Sequence, residues 1–355
     1  MKSLTTMGGT CAARTPATPL GSACDRLSSS APRRRAAFLT LGLLMTLPCV
    51  DVLATDYYVD SVAGLDSNNG TSVSTPWKTL TKVNGITFLP GDNVLFKRGS
   101  AWTGTLTPKG SGNSTSRLVF DAYGTGPAPI IDGAGASNAV MLWSKNYFTF
   151  QNFNVTNTAT NEGYRAGIRL AFVGAASPAG VTTFRSVKLL NNEIHHVAGS
   201  TNRDAALYDT GAIYIEFSDY QGAQTYVDDL LIEGNDLHNN RCIGINLKPA
   251  GNYNGRQDLW CTNLVIRGNV SDQAGADHIL VQGANGPLIE YNAGYDGGLI
   301  GAGYRYIAGM WTCYFTRETL FQFNEVARTR NEYVNGEGGD SEAFDVDYGT
   351  YDNHT

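Results

Sequence analysis

The acidic tract formed by residues 331–355 carries the side chains best suited to acid–base chemistry. It contains no lysine or arginine and seven carboxylates: Glu332, Glu337, Asp340, Glu342, Asp345, Asp347 and Asp352. Carboxylates held close together raise one another's pKa, so that one stays protonated while another ionises. Such a pair can protonate a leaving oxygen and also supply a base or nucleophile, which is the chemistry of glycosidic bond cleavage.

Residues 343–347 alternate between apolar and acidic side chains. A strand there would direct Phe344 and Val346 inward and Asp345 and Asp347 outward, with the two aspartate Cα atoms about 7 Å apart. The preceding acidic residues, Asp340 and Glu342 among them, would lie on the turn that leads into the strand. Two other interpretations stay open, because clustered carboxylates also form solvated acidic edges or bind Ca²⁺.

Residues 343–347 belong to a family of similar strands, described below, that we expect to stack in register. This stacking places further side chains beside the acidic strand. One column of outward residues leads to Asp347: Glu216, Lys248, Gln282 and Cys313. Trp311 falls beside Asp345 and, with Tyr314, could form a platform on which a sugar ring stacks. The alternative is that both aromatic side chains simply pack against the strands.

Basic residues near this column support a second kind of chemistry. A lyase needs a base to remove the proton next to a uronate carboxylate, and Lys248 is the candidate, although Glu216 one coil away instead predicts an ion pair. Three arginines precede the acidic tract and either bind an acidic sugar or neutralise carboxylates: Arg317, Arg328 and Arg330.

Histidine-containing pairs are the remaining acid–base candidates. They are His195–His196 and Asp277–His278, for which a structural role in coil turns is the alternative. The motifs of serine hydrolases, P-loop proteins and zincins are absent from the sequence, as is any His/Cys spacing typical of a zinc site. We therefore expect no cofactor, with calcium at the acidic tract as the one open possibility.

The elements that must position these residues recur as short apolar runs ending in asparagine. Apolar residues five and three positions earlier mark most of the runs, which end at Asn192, Asn235, Asn269, Asn292 and Asn324. The intervals are 43, 34, 23 and 32 residues, so the repeat is irregular. Asparagine suits a tight bend, because it tolerates left-handed backbone and its amide can bond the next coil. We predict a structural ladder rather than a ligand site.

A second family of strands interleaves with the asparagine-ended family. Its members are residues 167–172, 212–217, 243–248, 278–282, 310–314 and 343–347. Two or three short strands per repeating turn predict a solenoid in which each coil buries its inner residues against its neighbours. The two-residue hairpin turns of a β-sandwich are scarce.

The start of this region differs from the coils. Residues 57–59 predict a strand, and residues 76–83 predict a short helix with Pro76 near its first turn. Such a helix could close the open end of a solenoid. No comparable cap follows Asp347, so we expect the sequence to be truncated at its C-terminus.

The first 54 residues have a different composition from the rest. They carry six basic and two acidic residues, whereas the other 301 carry 20 basic and 30 acidic residues. Residues 33–35 are arginines, and an apolar run then leads to Ala54, which predicts a secretory signal peptide over residues 1–54. The run is too short for a transmembrane helix. The mature chain is therefore expected to be secreted or periplasmic, and its acidity argues against nucleic-acid binding.

The mature chain keeps three cysteines: Cys242, Cys261 and Cys313. Export permits a disulfide between Cys242 and Cys261, and three buried free thiols are the alternative. We divide the chain into a signal peptide (1–54), an N-terminal cap with the first coils (55–135) and further coils (136–355), and expect a monomer.

Several short motifs in the first coils resemble the start of secreted parallel β-helix proteins of the pectin-lyase-like group. They are Tyr57-Tyr58-Val59-Asp60-Ser61, Gly64-Leu65-Asp66, Gly70-Thr71, Pro76-Trp77-Lys78-Thr79-Leu80, Pro90-Gly91-Asp92 and Ile131-Asp132-Gly133. The resemblance implies an all-β, right-handed parallel β-helix. It leaves the activity open, because this fold hosts lyases, hydrolases, epimerases and adhesins.

The segment of residues 339–347 is similar to the active-site stretch of lacto-N-biosidase-type β-helix glycoside hydrolases. In that family two catalytic aspartates lie seven positions apart and hydrolysis retains configuration. The resemblance implies that Asp340 is the acid/base and Asp347 the nucleophile, with Asp345 as a rival for either role and Glu342 in support. It also implies a carbohydrate substrate. The candidate substrate contacts are the residues placed near the acidic tract by strand stacking and by sequence position: Glu216, Lys248, Trp311, Tyr314 and Arg317.

The resulting hypothesis is a secreted glycoside hydrolase with paired aspartates. A β-helix polysaccharide lyase and a non-catalytic glycan-binding surface protein are the alternatives. A lyase would release unsaturated sugars, and a binding protein would release nothing.

Overall fold

Parallel β-strands account for nearly all the regular structure of this chain. The computed structural model describes residues 54–174, 181–200, 209–218, 224–249, 261–298, 307–330, 342–347, 350 and 353, all within the unit Val52–Thr355. In chain order the elements are β1 (Asp56–Val59), α1 (Leu80–Gly85), β2 (Thr87–Phe88), β3 (Asn93–Lys97), β4 (Ala101–Thr103), β5 (Lys109–Gly110), β6 (Leu118–Tyr123), β7 (Ile130–Asp132), β8 (Asn138–Trp143), β9 (Phe148–Gln151), β10 (Asn154–Thr156), β11 (Ala166–Val173), β12 (Val181–Leu190), β13 (Glu193–His195), β14 (Gly211–Ser218), β15 (Gln224–Glu233), β16 (Asp236–Asn240), β17 (Ile245–Pro249), β18 (Cys261–Arg267), β19 (Val270–Ala274), β20 (Ile279–Gln282), β21 (Ala284–Asn285), β22 (Leu288–Glu290), β23 (Ala293–Tyr295), β24 (Met310–Cys313), β25 (Leu320–Gln322), β26 (Glu325–Ala327) and β27 (Phe344–Val346).

These strands stack into three parallel sheets, because each strand pairs with its equivalents in the coils before and after it. The first sheet has the order β1-β3-β6-β9-β12-β15-β18-β22-β25, with β21 also paired to β18. The second sheet runs β4-β7-β10-β13-β16-β19-β23-β26, and the third runs β8-β11-β14-β17-β20-β24-β27. A small fourth sheet pairs β2 with β5. The predicted parallel β-helix is confirmed, and both predicted strand families occupy their expected places.

Inward side chains of the three sheets meet in one continuous apolar core. Strand β14 illustrates the pattern, since Ile213, Ile215 and Phe217 are fully buried and Phe217 stacks on Phe172 of β11 at 5.7 Å between ring centroids. Burial of such a side chain contributes about 1.5–3 kcal/mol. The core therefore supplies the main stabilisation, coil by coil.

The predicted asparagine ladder is confirmed at the turns between the first and second sheets. Oδ1 of Asn235 accepts hydrogen bonds from N and Nδ2 of Asn192, both at 3.0 Å. Nδ2 of Asn235 in turn donates to Leu189 O at 3.1 Å and to Asn269 Oδ1 at 2.9 Å. The same contacts recur through Asn292 to the last rung. The side chain at each rung thus satisfies backbone groups of adjacent coils.

Removing one rung should destabilise the coil stack. In Asn235→Ala, buried donors and acceptors on both neighbouring coils lose their partners, so we expect the free energy of unfolding to fall by about 2–4 kcal/mol. The shift of the urea denaturation midpoint measures this effect, with Asn161→Ala at an exposed position as control. Equal midpoints for the two variants would contradict the structural role of the ladder.

The sequence predicted a helix at residues 76–83 near the start of the coils. The observed helix α1 is shorter and begins later. It begins after Thr79, whose side chain accepts a hydrogen bond from Lys82 N. Residues before it stay extended because Trp77 N donates to Tyr58 O at 2.8 Å and Asp60 N donates to Trp77 O at 2.8 Å. Tertiary pairing with β1 therefore outweighs the helical preference of this segment. Within the described ranges, no helix is long and apolar enough to cross a membrane.

The irregular repeat interval has a simple structural cause. Turns from the first to the second sheet hold two residues in every coil from β9 onwards, as at 191–192 and 234–235. Long connections instead join the second sheet to the third, at 196–210 and 296–309, or the third to the first, at 250–260. Each of these longer intervals therefore adjoins a strand of the third sheet in the sequence.

All three cysteines of the coils are free and buried. Cys242, Cys261 and Cys313 are each fully inaccessible to solvent. The alternative of buried free thiols is therefore confirmed, and the Cys242–Cys261 disulfide does not form. Burial raises the pKa of the Cys242 and Cys261 thiols, which stay protonated.

Candidate active site

Strand β27 places acidic residues on the outer face of the third sheet. Asp345 is in register with Trp311, and Asp347 N donates to Thr312 O at 3.0 Å, so the pairing continues beyond the strand. Asp345 is half-buried, whereas Asp347 is exposed. Asp340, the predicted acid/base, lies outside the described residues.

The inward face of β27 is covered only in part. Phe344 packs against the core and contacts Phe321 at 6.0 Å between ring centroids. Val346 is 41% exposed, although its register partner Thr312 is fully buried. The predicted inward direction of Val346 is therefore confirmed, and its side chain stays partly exposed because β24 is the one described strand that pairs with β27.

The predicted column of outward side chains is confirmed by the strand registers. Glu216 pairs with Lys248 between β14 and β17, and Gln282 pairs with Cys313 between β20 and β24. The registers between β17 and β20 connect these two pairs. Neighbouring coils are about 4.8 Å apart, so the column continues from coil to coil towards the acidic strand. Gln282 and Cys313 are buried within it, and Glu216 keeps part of its side chain accessible.

Cys313 is a buried thiol whose protonation is influenced by nearby carboxylates. Its thiol is buried, and burial raises its pKa well above the usual value, with further increases from Asp347, Asp277 and Asp345. Three carboxyl groups from two coils therefore favour the neutral form of one thiol. Asp277 precedes β20 and is distant in sequence from Asp345 and Asp347, so the stacking of coils brings it near them.

Asp277 is a buried carboxyl group with an unusual environment. It is 1% exposed, and Ala308 N donates to its Oδ1 at 2.9 Å. Burial raises its pKa to about 7, while Asp345 adds to the increase. The nearby Trp311 indole N–H favours the charged form of the Asp277 carboxyl group. It lies outside hydrogen-bonding geometry, so Asp277 Oδ2 has no hydrogen-bond partner among the described residues. Asp277 is thus poised to titrate near neutral pH beside the acidic strand.

From the raised pKa of Asp277 we predict how the stability of the fold changes with pH. A carboxyl group whose folded-state pKa lies above its unfolded value loses stabilisation as the pH rises towards that folded-state value. Each pKa unit corresponds to about 1.4 kcal/mol. We expect Asp277→Asn to match the wild type near pH 4 and to unfold at a higher urea concentration above pH 7. Identical profiles of denaturation midpoint against pH would contradict the assigned environment.

The predicted sugar-stacking platform does not form as expected. Trp311 is only 6% exposed and packs in a second apolar cluster with Leu280, Ile307 and Ala308 on the outer face of the third sheet. Tyr314 packs against the same cluster and keeps part of its surface accessible. The packing alternative is therefore correct for Trp311, whose burial follows from the turn at residues 307–309 folding over it.

Lys248 and Glu216 belong to a charged network rather than to a direct pair. Lys248 Nζ lies 2.7 Å from Asp209 Oδ1, and Glu216 Oε1 accepts from Arg169 at 2.7 Å. The Tyr214 hydroxyl connects the two ion pairs, at 3.3 Å from Asp209 Oδ1 and 3.2 Å from Glu216 Oε2. Burial raises the pKa of Tyr214, so it remains a donor. The expected exposed Lys248–Glu216 pair is wrong, since Asp209 reaches Lys248 from the preceding connection and the Lys248 side chain is 12% exposed.

Two of the three arginines before the acidic tract share one carboxylate. Arg328 forms an ion pair with Asp296 at 2.7 Å, and Arg330 lies 3.9 Å from the same carboxylate. For Arg328 and Arg330 the neutralising alternative is therefore supported, with Asp296 as the carboxylate. Arg317 donates to Asn285 Oδ1 at 2.9 Å in the connection between β24 and β25.

The two histidine pairs behave differently. His278 is fully buried, its Nδ1 lies 2.9 Å from Ser271 Oγ, and burial lowers its pKa to about 4. A Cβ on Gly294 would lie 2.6 Å from the His278 ring, so glycine makes room for it. His195 and His196 are joined by an Nδ1–Nδ1 contact of 2.7 Å on the second sheet. A structural role is thus supported for His278.

No arrangement of three or more His, Cys, Asp or Glu side chains suited to a metal ion occurs in the described ranges, which include residues 342–347 of the acidic tract. Calcium at that tract stays a prediction.

Sequence reasoning missed two residues of this face. Asp209 and Tyr214 were not singled out, and Asp277 was considered only together with His278. The alternation of β14 already directs Tyr214 outward next to Glu216, so its position was available from the sequence. The place of Asp209 depends on how a long connection returns to the sheet.

The amino-acid sequence was compared with protein families and with curated proteins. No family model matches the chain. It is 27% identical over 381 aligned positions to the lacto-N-biosidase of Bifidobacterium longum subsp. longum, in an alignment covering 83% of this chain and 23% of that protein. The chain thus spans less than a quarter of the length of that curated relative.

Solved structures give a similar result for the fold. The GH136 lacto-N-biosidase from Eubacterium ramulus matches with a TM-score of 0.69 and 24% identity in its selenomethionine derivative, covering 84% of this chain and 55% of that chain. The native protein gives a TM-score of 0.67 at 23% identity. The resemblance read from the sequence is therefore confirmed: the chain is related in sequence to one lacto-N-biosidase and shares its fold with another.

Proposed function

We propose that this chain is a secreted glycoside hydrolase that cleaves poly- or oligosaccharides on the outer face of the third sheet. The observation that carries the proposal is the position of Asp345 and Asp347 on that face, fixed by their pairing with β24. The sequence relationship to a lacto-N-biosidase supports the same class of reaction. Export follows from the signal peptide predicted over residues 1–54.

The proposed mechanism retains the configuration of the sugar. Asp340 protonates the glycosidic oxygen while the Asp347 carboxylate attacks the anomeric carbon, which breaks the bond to the leaving group and forms a glycosyl ester. Asp340 then removes a proton from water, which attacks the anomeric carbon and releases Asp347. This requires the two carboxyl groups to come within about 5–5.5 Å of each other.

Neighbouring groups fit the electrostatic needs of this mechanism. Asp345 adds negative charge beside the nucleophile and, with Glu342, favours a protonated acid nearby. The neutral Cys313 thiol and the apolar cluster around Trp311 exclude water from the inner side of the carboxylates. Charges developing on the substrate would therefore be felt more strongly than in water.

Two finer features of the fold belong to the same proposal. Helix α1 would close the N-terminal end of the coils, where Trp77, Leu80 and Val83 are buried. The coils would wind in the right-handed sense that parallel β-crossovers prefer.

A glycan panel tests the proposed reaction directly. The full chain is incubated with neutral and uronate-containing glycans, including oligosaccharides that carry the lacto-N-biose named in its relatives, and both reducing ends and unsaturated products are measured. New reducing ends without ultraviolet absorbance are expected. Unsaturated products would indicate a lyase, and binding without any product would indicate a non-catalytic protein.

The structure also bears on the lyase alternative, because the ion pair of Lys248 with Asp209 argues against a free lysine base.

A further inference from the structure

Two exposed aromatic side chains occupy a backbone conformation that suits neither of them. Tyr291 and Phe323 lie at the turn from the first to the second sheet, with φ of 54° and 56°. The equivalent residues of the preceding coils are Asn191, Gly234 and Gly268, which adopt this left-handed region at low cost. Bulky residues are unusual there, and such strain is concentrated at functional sites.

Burial does not account for these aromatic residues. Tyr291 is 59% exposed and Phe323 is 68% exposed, so neither contributes a core side chain. Their rings stack on each other, with centroids 4.8 Å apart and planes 18° apart. Because they belong to adjacent coils, the rings stack along the coil direction. One face of Tyr291 is covered by Phe323, and its other face is directed towards the coil of Gly268.

An open notch lies beside that second face. A Cβ built on Gly268 would have Gly234 N, at 4.0 Å, as its nearest neighbour, so the position next to Tyr291 holds no side chain. The next coil also has glycine at this position, and Asn191 closes the far end, with its Oδ1 2.5 Å from the place a Gly234 Cβ would take. The Asn191 amide therefore occupies the space at Gly234, and the open part of the notch is the coil of Gly268. Tyr291 lies two coil spacings, about 10 Å, from the coil of Gly234. That space admits one ring stacked on Tyr291.

Polar side chains line one edge of the notch. The residues that precede the turn in successive coils are Glu233, Arg267, Glu290 and Gln322. Arg267 donates to Glu233 at 3.1 Å and lies 4.0 Å from Glu290, and about two fifths of Glu233 and Arg267 is exposed. The edge therefore offers donors and acceptors in fixed positions, without an excess of positive charge for an anionic ligand.

We propose that this notch, formed by Tyr291, Gly268, Gly234 and Asn191 with Arg267 and Glu233 at its edge, binds one ring of a neutral saccharide. The apolar C–H face of a sugar would stack on Tyr291 while its hydroxyl groups bond to the charged edge, which is how a pocket combines apolar contact with a few placed polar groups. A protein partner is a poorer fit, because two rings among charged residues give far less than the roughly 800 Å² per partner of a stable interface.

This site is separate from the proposed active site. It lies at the turns between the first and second sheets, whereas the acidic strand belongs to the third sheet. All residues that form the notch are among the described residues. The proposal does not depend on hydrolysis, so a chain without activity could still bind a saccharide here.

Isothermal titration calorimetry of the full chain tests the proposal, with lactose, cellotetraose and chitotetraose as probes. We expect at least one probe to bind with a Kd of about 1 mM or lower. Tyr291→Asn and Gly268→Asn should each weaken that binding about tenfold or more. Both introduce a residue that tolerates the left-handed conformation, so neither should lower the melting temperature.

Matched controls separate the site from general surface effects. Gly286→Asn introduces the same residue at a φ of 62° with open space around it, and Leu65→Asn removes another exposed apolar side chain. Neither should change the Kd, and hydrolysis of short substrates should be unchanged in Tyr291→Asn. Absence of binding by all three probes, or equal binding by both notch variants, would overturn the proposal. So would concentration-dependent self-association that Tyr291→Asn abolishes, which would indicate a docking surface for a second copy.

Discussion

Replacing Asp347 by asparagine is expected to lower kcat by about 10³-fold or more while leaving the fold intact. The amide cannot attack the anomeric carbon, so the glycosyl ester does not form. The fold should survive because the Asp347 side chain is exposed and its backbone N–H still pairs with Thr312 O. Steady-state kinetics on the substrate found in the glycan panel, with a denaturation midpoint for each protein, measure both effects.

Asp236→Asn is the matched control for this variant. It changes an exposed strand aspartate on the second sheet, away from the acidic strand, and should keep near-normal turnover. Near-normal turnover in Asp347→Asn, together with its loss in Asp345→Asn, would transfer the nucleophile role to Asp345.

Replacing Asp340 by asparagine should affect substrates according to their leaving groups. A general acid contributes about 10²–10⁴-fold when the leaving oxygen needs a proton, and little when the leaving group is an activated phenol. We expect kcat/KM for a natural oligosaccharide to fall by that range in Asp340→Asn, whereas cleavage of a nitrophenyl glycoside changes much less. Steady-state kinetics with both substrates give the comparison.

The contrast between the two aspartate variants makes the assignment falsifiable. Asp347→Asn should lose activity on both substrates, because the nucleophile is needed whatever the leaving group. Equal losses on both substrates in Asp340→Asn would mean that Asp340 is not the general acid. Glu342, two residues later in the sequence, would then be the next candidate.

The sequence predicted the coils well because their signals are local. The side-chain alternation of β14 and β24 and the asparagines at residues 192 and 235 report on the immediate neighbours of each strand. Stacking equivalent strands then gives the register, which is why Trp311 was correctly placed beside Asp345.

Other features depend on how connections return to the sheet, and these were not predictable. The turn at residues 307–309 buries Trp311, and Asp209 reaches Lys248 from a connection of the preceding coil. The start of helix α1 was misplaced for a similar reason, since Trp77 pairs with β1 rather than joining the helix. In each case a contact distant in sequence overrode a local preference.

Asp277 shows the same limit at the candidate site. Its position before β20 was visible in the sequence, but its burial and its approach to Asp345 arise only when two coils stack. A carboxyl group with a pKa near neutral pH therefore had no local signature.

Mass spectrometry of the protein after reaction with a 2-deoxy-2-fluoro glycoside tests the central claim most directly. Fluorine at this position slows breakdown of the glycosyl ester, so a retaining enzyme accumulates the covalent intermediate. We predict one added sugar per chain, attached to the peptide that contains Asp347 and absent in Asp347→Asn. A sugar attached to another residue, or release of product with inverted configuration and no covalent species, would contradict the assignment of Asp347 as the nucleophile.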